Sequence, residues 1–571
     1  MTQSWRSLPD LLAQRAAERP DGRAYVWVDE HLSEEAVLTW GELHDRSLAV
    51  AAQLAAQCEP GDRALLVFPP GLDFIAAYFG CLYAGVIAVP VNPPRREVVQ
   101  GATRAVVSDC EPRAVLTLGA LVEFMQRPIE AVCGELRWIA VDQVSGGATG
   151  FASSPCRPDD VAFLQYTSGS TSDPKGVMVT HGNLVANQEM IKVAFGNEGS
   201  PTVVGWTPFF HDQGLIGNVL QPLYLGSTAV FMSPLAFGRR PLLWLKAISK
   251  YRAPISGAPN FAFDVCVARA ASGRDALDDL DLSCWKLAYD GAEPIRAETL
   301  RRFAETFGPY GFSPEALCPC YGLAEGTLIV TGVKQGTGAR AVAADATQLG
   351  QGRLVEAPTG GRTLVGSGRV LPQEDVLIVD PDTGRPCPQG RIGEIWVWGP
   401  HVAKGYWRRP EATARTFGAR PAGTDGRTYL RTGDLGAIHA GELFVVGRIK
   451  DLIIVRGRNI YPQDIEFTSQ SAHPALRKGA CAAFSVPADD GERLVVVQEV
   501  KRDQDADPAE VAAAMRAAIV REHEIALGDL VLTPAQTLDK TTSGKIRRAA
   551  ARKRYLEEGF AAWEPARPAF A

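Results

Sequence analysis

Residues 166–176 combine the small, hydroxylated and basic side chains that a polyphosphate-binding loop requires. Their sequence is YTSGSTSDPKG, and it lies between the apolar runs at 161–164 and 177–180. Small residues let the backbone approach closely, hydroxyl and N–H groups donate hydrogen bonds, and Lys175 supplies charge. The Walker A pattern G-x-x-x-x-G-K-[ST] is absent both here and around Lys545. We therefore predict a nucleotide phosphate site of another type.

Further segments carry aromatic, acidic or basic residues that suit a nucleotide. In the segment YGLAE at 321–325, a ring beside a glycine offers a flat slot to a base, and a carboxylate is a natural ligand for Mg²⁺. The segment YLRTGD ends in Asp434, whose two oxygens can accept hydrogen bonds from a vicinal diol. Taken singly, each is compatible with an ordinary surface turn. The remaining segments are DGAEP at 290–294, GRIKD at 447–451 and KTTSGKIR at 540–547.

The elements that position these segments follow from the hydrophobic pattern. A strand at 65–68, a helix at 73–83 that Gly85 ends, and a strand at 86–90 exemplify an alternation that predicts βαβ units. We predict an α/β fold, with a large N-terminal domain of parallel sheets and flanking helices. Closely spaced strands at 375–380 and 392–398 predict a small β-barrel-like section within it, and a small α+β C-terminal domain follows.

A change of composition indicates the domain boundary. After Gly447 the chain becomes more basic and then resumes helix–strand alternation, so we predict a large domain at 1–449 and a small, mobile domain at 450–571. The weakly patterned segment at about 333–368, rich in Gly, Ala, Thr and Arg, is predicted to be an insertion.

Charge and cysteine usage restrict the cellular setting. The net charge of −6 argues against a nucleic-acid partner, which requires a basic face. The 11 cysteines have irregular spacing, which is typical of a cytoplasmic protein rather than a disulfide framework. Gly, Pro and polar residues interrupt the uncharged stretches 74–94 and 213–238, so we predict no membrane insertion.

Taken together and in this order, the segments resemble the motifs of the adenylate-forming superfamily: acyl-CoA synthetases, peptide-synthetase adenylation domains, luciferases and fatty acyl-AMP ligases. The insertion at 333–368 sits where the fatty acyl-AMP ligase branch carries one that is thought to limit domain rotation. The resemblance implies that ATP activates a fatty acid as its acyl adenylate and that pyrophosphate is released. An acyl carrier protein with a phosphopantetheine thiol would then accept the acyl group, in polyketide, lipopeptide or lipid biosynthesis. The segments most similar to this branch are 68–75, 82–90, 208–216, 257–262 and 457–466.

The resemblance also implies residue roles. Tyr321 would stack on adenine, and Asp434 would bind the ribose. Lys545 would bridge the attacking carboxylate and the α-phosphate, and Lys450 would be the hinge between the domains. The catalytic residues implied are Lys545, His211 (near the substrate carboxylate) and Glu325, with Glu325 and Thr171 as Mg²⁺ ligands. The ATP- and AMP-binding residues implied are Thr167, Ser168, Gly169, Ser170, Thr171, Lys175, Gly291, Ala292, Glu293, Tyr321, Gly322, Asp434 and Arg448.

Other functions share part of this pattern. An acyl-CoA synthetase would perform the same first step and use CoA as the acceptor. An amino-acid adenylation domain is disfavoured because the segment 230–237 is apolar. Asp212, the acidic residue that could meet an α-ammonium group, belongs to the segment 208–216, which resembles the gate of the fatty acyl-AMP ligase branch rather than a substrate pocket. A catalytically inactive sensor of lipid or nucleotide is disfavoured because every nucleotide-contacting residue type is present. An aminoacyl-tRNA synthetase is disfavoured further, because neither signature sequence of its nucleotide site appears and the net charge is acidic.

Overall fold

A computed structural model describes residues 7–93, 101–144, 151, 153, 155–167, 174–423, 426–455, 458–488, 491–502, 504–541 and 545–565. The strands are β1 (Arg23–Val28), β2 (Glu34–Thr39), β3 (Arg63–Leu66), β4 (Ile87–Pro90), β5 (Ala114–Thr117), β6 (Arg137–Ala140), β7 (Val161–Thr167), β8 (Lys175–Thr180), β9 (Val203–Gly205), β10 (Ala229–Met232), β11 (Ile255–Pro259), β12 (Leu287–Gly291), β13 (Leu317–Gly322), β14 (Ile329–Gly332), β15 (Ala341–Ala344), β16 (Arg362–Val365), β17 (Asp375–Val379), β18 (Gly393–Trp398), β19 (Leu430–His439), β20 (Glu442–Arg448), β21 (Ile453–Val455), β22 (Arg458–Ile460), β23 (Leu476–Ala488), β24 (Gly491–Val500) and β25 (Asp529–Thr533).

Helices connect and cover these strands. The α-helices are α1 (Leu8–Glu18), α2 (Trp40–Ala55), α3 (Asp73–Ala84), α4 (Gly101–Cys110), α5 (Gly119–Cys133), α6 (His181–Phe195), α7 (Gln221–Leu225), α8 (Pro234–Arg239), α9 (Leu242–Lys250), α10 (Asn260–Ala271), α11 (Ala297–Phe307), α12 (Ala346–Gly350), α13 (Pro410–Phe417), α14 (Pro462–Ser471), α15 (Pro508–His523) and α16 (Arg548–Glu557). A π-helix spans Gln213–Leu220, and 3₁₀ turns span Val141–Gln143, Gly308–Tyr310, Pro314–Ala316, Ala324–Gly326 and Ile449–Asp451.

Two largely parallel sheets form the large N-terminal domain. One sheet has the order β14-β13-β12-β11-β9-β10-β1-β2, with antiparallel strands only at its two edges, and the other has the order β6-β5-β3-β4-β7-β8. Helices cover both sheets, as βαβ connections require. The predicted unit around Gly85 is confirmed: α3 ends at Gly85, which has a φ of 70°, and β4 follows. The α/β class is therefore confirmed.

The section predicted to be barrel-like is an open sheet. It has the order β17-β18-β19-β20, and in the described residues its outer strands do not pair with each other, so no barrel closes. The physical reason is that the insertion occupies the free edge of β20. The N–H of Ser367 donates to the carbonyl of Leu443, and the N–H of Leu443 donates to the carbonyl of Gly368.

The insertion is a small folded unit that contacts the C-terminal part of the chain. It contains the β15–β16 hairpin and α12. Arg362 on β16 forms an ion pair of 3.0 Å with Asp464 and lies 4.6 Å from the ring centre of Tyr461. These contacts join the insertion to the start of α14.

The C-terminal part has its own core. Strands β23, β24 and β25 form one sheet, against which α14, α15 and α16 pack. Two clusters of buried apolar side chains in this region contain only residues beyond Leu452. A separate core is what an independently folded domain requires, and the boundary at 449/450 stays a prediction. Among the described helices, none is both long and apolar enough to cross a membrane.

A buried acid–imidazole pair beside the smaller sheet provides a test of the packing. The Nε2 atom of His401 lies 3.5 Å from the Oε2 atom of Glu374, and neither side chain is exposed. Burial raises the pKa of Glu374 to about 8 and lowers the pKa of His401 to about 4. Both groups are therefore neutral at neutral pH.

We predict that Glu374→Gln weakens the pH dependence of stability. Folded Glu374 retains its proton above its ordinary pKa of 4.5, so its contribution to stability falls as the pH rises from 4.5 to about 8. Glutamine keeps a donor near His401 but cannot ionise. Thermal unfolding across this pH range should show a smaller loss of Tm than in the wild type. The exposed control Glu305→Gln should lose Tm as steeply as the wild type does. If Glu374→Gln also lost Tm as steeply, the result would contradict the buried pair.

Candidate active site

One continuous cleft of about 2520 Å³ contains the predicted site. Every predicted site residue that the structure describes lines it. Ser168, Gly169, Ser170 and Thr171 lie outside the described residues. The volume exceeds that of an ordinary ligand pocket, because the cleft joins a polar mouth, an apolar branch and the gap between the two domains.

The predicted phosphate loop connects the antiparallel strands β7 and β8. Thr167 pairs with Lys175 at the end of this hairpin that adjoins the loop. The Nζ atom of Lys175 lies 4.7 Å from the ring centre of Tyr406, whose hydroxyl donates to Oε1 of Glu325 at 2.8 Å. A cation, a ring and a carboxylate thus meet at one side of the cleft.

The surroundings of Lys175 are strongly basic. Burial lowers the pKa of Lys175, and the nearby charges of Lys450, Arg415 and Arg409 lower it further, against the opposing effect of Glu325. Such a concentration of cations is costly unless an anion compensates it. The mouth of the cleft is therefore electrostatically suited to a polyphosphate.

Asp434 forms the opposite side of this polar region. It pairs in register with Arg448 across β19 and β20, and Arg448 Nε donates to Asp434 Oδ1 at 2.9 Å. The Tyr321 hydroxyl donates to Oδ2 at 2.8 Å. Each carboxylate oxygen has a second lone pair, so a diol can still be accepted while Tyr321 and Arg448 fix the carboxylate.

The end of β12 forms the floor of the cleft. Gly291 lies against Cys320, and a Cβ atom at this position would come within 2.7 Å of its sulfur, so only glycine fits without displacement. Ala292 has a φ of 65°, an uncommon value for a residue with a side chain. Its carbonyl oxygen accepts a hydrogen bond from the Nζ atom of Lys545.

Lys545 reaches this point from the C-terminal part of the chain, where it is hydrogen-bonded to Thr541. The N–H of Lys545 donates to the Thr541 hydroxyl at 3.1 Å, and the N–H of Thr541 donates to the Lys545 carbonyl at 2.7 Å. Beyond Lys545, Arg548 binds both oxygens of Glu466, at 2.6 and 2.7 Å, and Asp451 at 2.8 Å. Asp451 is next to the predicted hinge residue Lys450. The guanidinium of Arg548 therefore connects the 3₁₀ turn at Ile449–Asp451 to the chain that follows Lys545.

The charges around Lys545 are mixed. The residue remains exposed to the solvent of the open cleft. Desolvation of its ammonium group and the charge of Arg448 lower its pKa, while Glu293, Asp212 and Asp434 oppose this shift. A cation with a lowered pKa among carboxylates is typical of functional sites.

His211 and Asp212 lie at the entrance to the π-helix. His211 Nδ1 is 2.6 Å from Oδ1 of Asp212, which also accepts a hydrogen bond from the N–H of Gln213 at 2.7 Å. Burial favours the neutral form of Asp212, but His211 and Gln213 outweigh this effect and lower its pKa. A carboxylate therefore borders the position predicted for the substrate acid.

Sequence reasoning missed two residues of this site, Tyr406 and Arg548. Tyr406 is separated from Glu325 by many residues and belongs to no segment identified above, so only the folded chain shows the contact. Arg548 directly follows the segment 540–547, and its position next to Lys545 could have indicated a supporting role.

Comparison with known proteins identifies the family. The family model described as "AMP-binding enzyme" matches residues 12–407, and one described as "Disco-interacting protein 2-like, AMP domain" matches residues 450–564. The chain is 42% identical to a medium-chain-fatty-acid–[acyl-carrier-protein] ligase, JamA, of Moorena producens, over 98% of this chain and 96% of that protein. It is 39% identical to the long-chain-fatty-acid–AMP ligase FadD32 of Mycolicibacterium smegmatis, over 95% and 93%.

A solved structure agrees with these relatives. The fatty acyl-adenylate ligase of Legionella pneumophila, in complex with acyl adenylate and pyrophosphate, is 40% identical, with a TM-score of 0.76 and 98% of each chain covered. The chain therefore belongs to the AMP-binding enzyme family, in its fatty acyl-AMP ligase branch.

Proposed function

We propose that this protein activates a fatty acid with ATP as its acyl adenylate and then transfers the acyl group to the phosphopantetheine thiol of an acyl carrier protein. The observation that carries the proposal is the position of Lys545, which enters from the C-terminal part and binds the carbonyl of Ala292 in a cleft that also contains Asp434 and Lys175. We also propose a cytoplasmic location, because the reaction consumes ATP and the irregular cysteines suit a reducing compartment.

In this proposal, polar groups around the cleft position ATP. The loop between β7 and β8, with Lys175, holds the β- and γ-phosphates. Asp434 accepts the ribose hydroxyls, Arg448 contacts the ribose or the α-phosphate, and Tyr321 borders the base. Gly291, Ala292 and Glu293 form the edge of the base pocket, since all three line the cleft.

The residues present fit a Mg²⁺ ion bound together with ATP. Among the described residues, no group of three or more acidic, cysteine or histidine side chains forms a metal site. Mg²⁺ at nucleotide sites typically takes one or two carboxylates and completes its shell with phosphate oxygens and water. Glu325 lines the cleft, and the Tyr406 hydroxyl orients it. When bound, the ion would neutralise phosphate charge.

The first chemical step is an in-line displacement. A carboxylate oxygen of the acid forms a bond to the α-phosphorus, the bond from that phosphorus to the bridging oxygen breaks, and pyrophosphate leaves. Two anions must approach each other, so positioned cations supply most of the stabilisation. Lys545 bridges the attacking carboxylate and the α-phosphate. No general base is required, because the acid is already ionised.

The second step requires the site to admit a thiol. We propose that the C-terminal domain, residues 450–571, rotates about Lys450 and withdraws Lys545. The thiolate sulfur then bonds to the acyl carbon, and AMP leaves with the oxygen. The ion pair between Arg362 and Asp464 crosses from the insertion to the moving domain, which supports a restricted rotation that disfavours free CoA.

We predict that Lys545→Ala abolishes adenylate formation. Loss of the bridging cation should lower the rate of pyrophosphate release by at least about 100-fold, the effect of removing a charge-stabilising donor. ATP affinity by calorimetry should change little, because Asp434 and the phosphate loop remain. Lys553→Ala is the matched control, since this exposed lysine of α16 contacts only Glu557 among the ion pairs of the described structure. Near-normal pyrophosphate release by Lys545→Ala would refute the assigned role.

We predict that Asp434→Asn raises the KM for ATP by about 10-fold or more, because two charge-assisted hydrogen bonds to the ribose are weakened. The KM for the fatty acid should remain near the wild-type value. Initial rates at varied ATP and saturating acid give the comparison, with the exposed turn variant Asp382→Asn as control. An unaltered KM for ATP would contradict ribose binding by Asp434.

We predict that Arg362→Ala increases the use of CoA. Removal of one ion pair and one cation–π contact should favour the rotated state, so the rate of acyl-CoA formation should rise about 5- to 10-fold. Adenylate formation, measured separately as pyrophosphate release, should be little changed. The control is Arg340→Ala, whose ion pair with Glu356 lies within the insertion. Equal CoA rates in the two variants would contradict a restraint by Arg362.

A further inference from the structure

An apolar branch of the cleft extends beneath the large sheet, away from Lys545. Leu287, Tyr289 and Gly291 alternate along β12 and therefore share one face of the strand, and all three line the cleft. Gly291 lies at the floor of the polar region. Leu287 lies four residues away at the other end of the strand, roughly 13 Å deeper.

A helical wall faces this strand. Gln213, Gly217 and Gln221 are spaced four residues apart along the π-helix and the start of α7, and all three line the cleft. Gln213 follows Asp212 at the carboxylate end. Gln221 lies two helical turns further, roughly 10 Å along the helix. The distance along the strand and the distance along the helix thus give similar values for the depth of the branch.

The wall of the branch is mainly apolar. Ile191, Phe195, Leu225, Ile255, Leu287 and Leu328 line it. Ile255 pairs in register with Leu287, and Val203 pairs with Ile255, so the first residues of three neighbouring strands border its deep end. This lining suits the alkyl chain of the proposed substrate.

The deep end also contains amide groups without partners. Gln221 is 4% exposed, and within the described residues neither Nε2 nor Oε1 of its side chain makes a hydrogen bond. Asn197, also 4% exposed and also lining the cleft, has an Oδ1 to which no described residue donates a hydrogen bond. Buried polar atoms almost always have partners, so such a group requires an explanation.

A neighbouring buried amide that does not line the cleft differs from these. Asn218 is buried, its Nδ2 donates to the Thr207 hydroxyl at 2.6 Å, and its Oδ1 accepts from the Tyr289 hydroxyl. The chain therefore satisfies the amide of Asn218, behind the wall of the cleft, and leaves the amide of Gln221, which lines the cleft, without a partner among the described residues. A purely hydrocarbon substrate would bury the amide of Gln221 without a partner, which is unfavourable.

We propose that the acid which this protein activates carries a hydroxyl group near the end of its chain, and that Gln221 binds it. This inference rests on the proposed function and names its substrate class. The Gln221 Oε1 accepts a hydrogen bond from the hydroxyl group, and Nε2 donates a hydrogen bond to the hydroxyl oxygen. Gln221 is thus a specificity-determining residue, since it does not touch the reacting atoms.

The test compares ω-hydroxy acids with plain fatty acids of equal heavy-atom count, over a series of chain lengths, by pyrophosphate release. At the chain length with the highest activity, the wild-type kcat/KM should be about 10- to 100-fold higher for the hydroxy acid than for the plain acid. The reason is that binding of the plain acid leaves the buried amide of Gln221 without a hydrogen bond. In Gln221→Met, which keeps the volume but removes the amide, the preference should disappear.

Gln188→Met is the matched control. Gln188 is fully buried and its Nε2 donates to the Ile216 carbonyl, but it does not line the cleft, so this variant should retain the preference. The ratio of the two specificity constants within one preparation is independent of the folded fraction. A wild-type preference for plain acids, or equal constants at every length, would overturn the inference and leave the proposed function intact. No pyrophosphate release with any acid would overturn both.

Discussion

The contact between the Lys545 ammonium group and the carbonyl of Ala292 is the interaction on which the proposed chemistry depends. It joins two separately packed cores through one flexible side chain. Desolvation and Arg448 lower the pKa of this ammonium group, while the carboxylates of Glu293, Asp212 and Asp434 oppose the shift. In the proposed reaction Lys545 leaves after the first step, and a single side-chain hydrogen bond can be broken at small net cost.

Sequence and structure agree best where chemistry is concentrated in short segments. Lys175, Glu325, Asp434 and Lys545 each lie in an ordered motif, and the fold brings all four to one cleft. The alternation of helices and strands likewise predicted the parallel sheets, because βαβ units leave a local pattern.

The remaining features depend on contacts between distant parts of the chain. The contact of Tyr406 with Glu325 leaves no local signal, since the two residues come from separate elements. The smaller sheet is open because residues 366–368 cover the edge of β20, which strand spacing alone does not indicate. The open amide of Gln221 was equally hidden, because glutamine in an apolar segment normally finds a partner.

The guanidinium of Arg548 holds separate segments of the C-terminal region together. It binds both oxygens of Glu466 and one oxygen of Asp451, which follows the predicted hinge residue Lys450, and it lies three residues after Lys545. In the proposed rotation about Lys450, the segment that carries Lys545 would therefore move together with Asp451 and α14. A change of angle at position 450 would displace the Lys545 ammonium group as part of one unit.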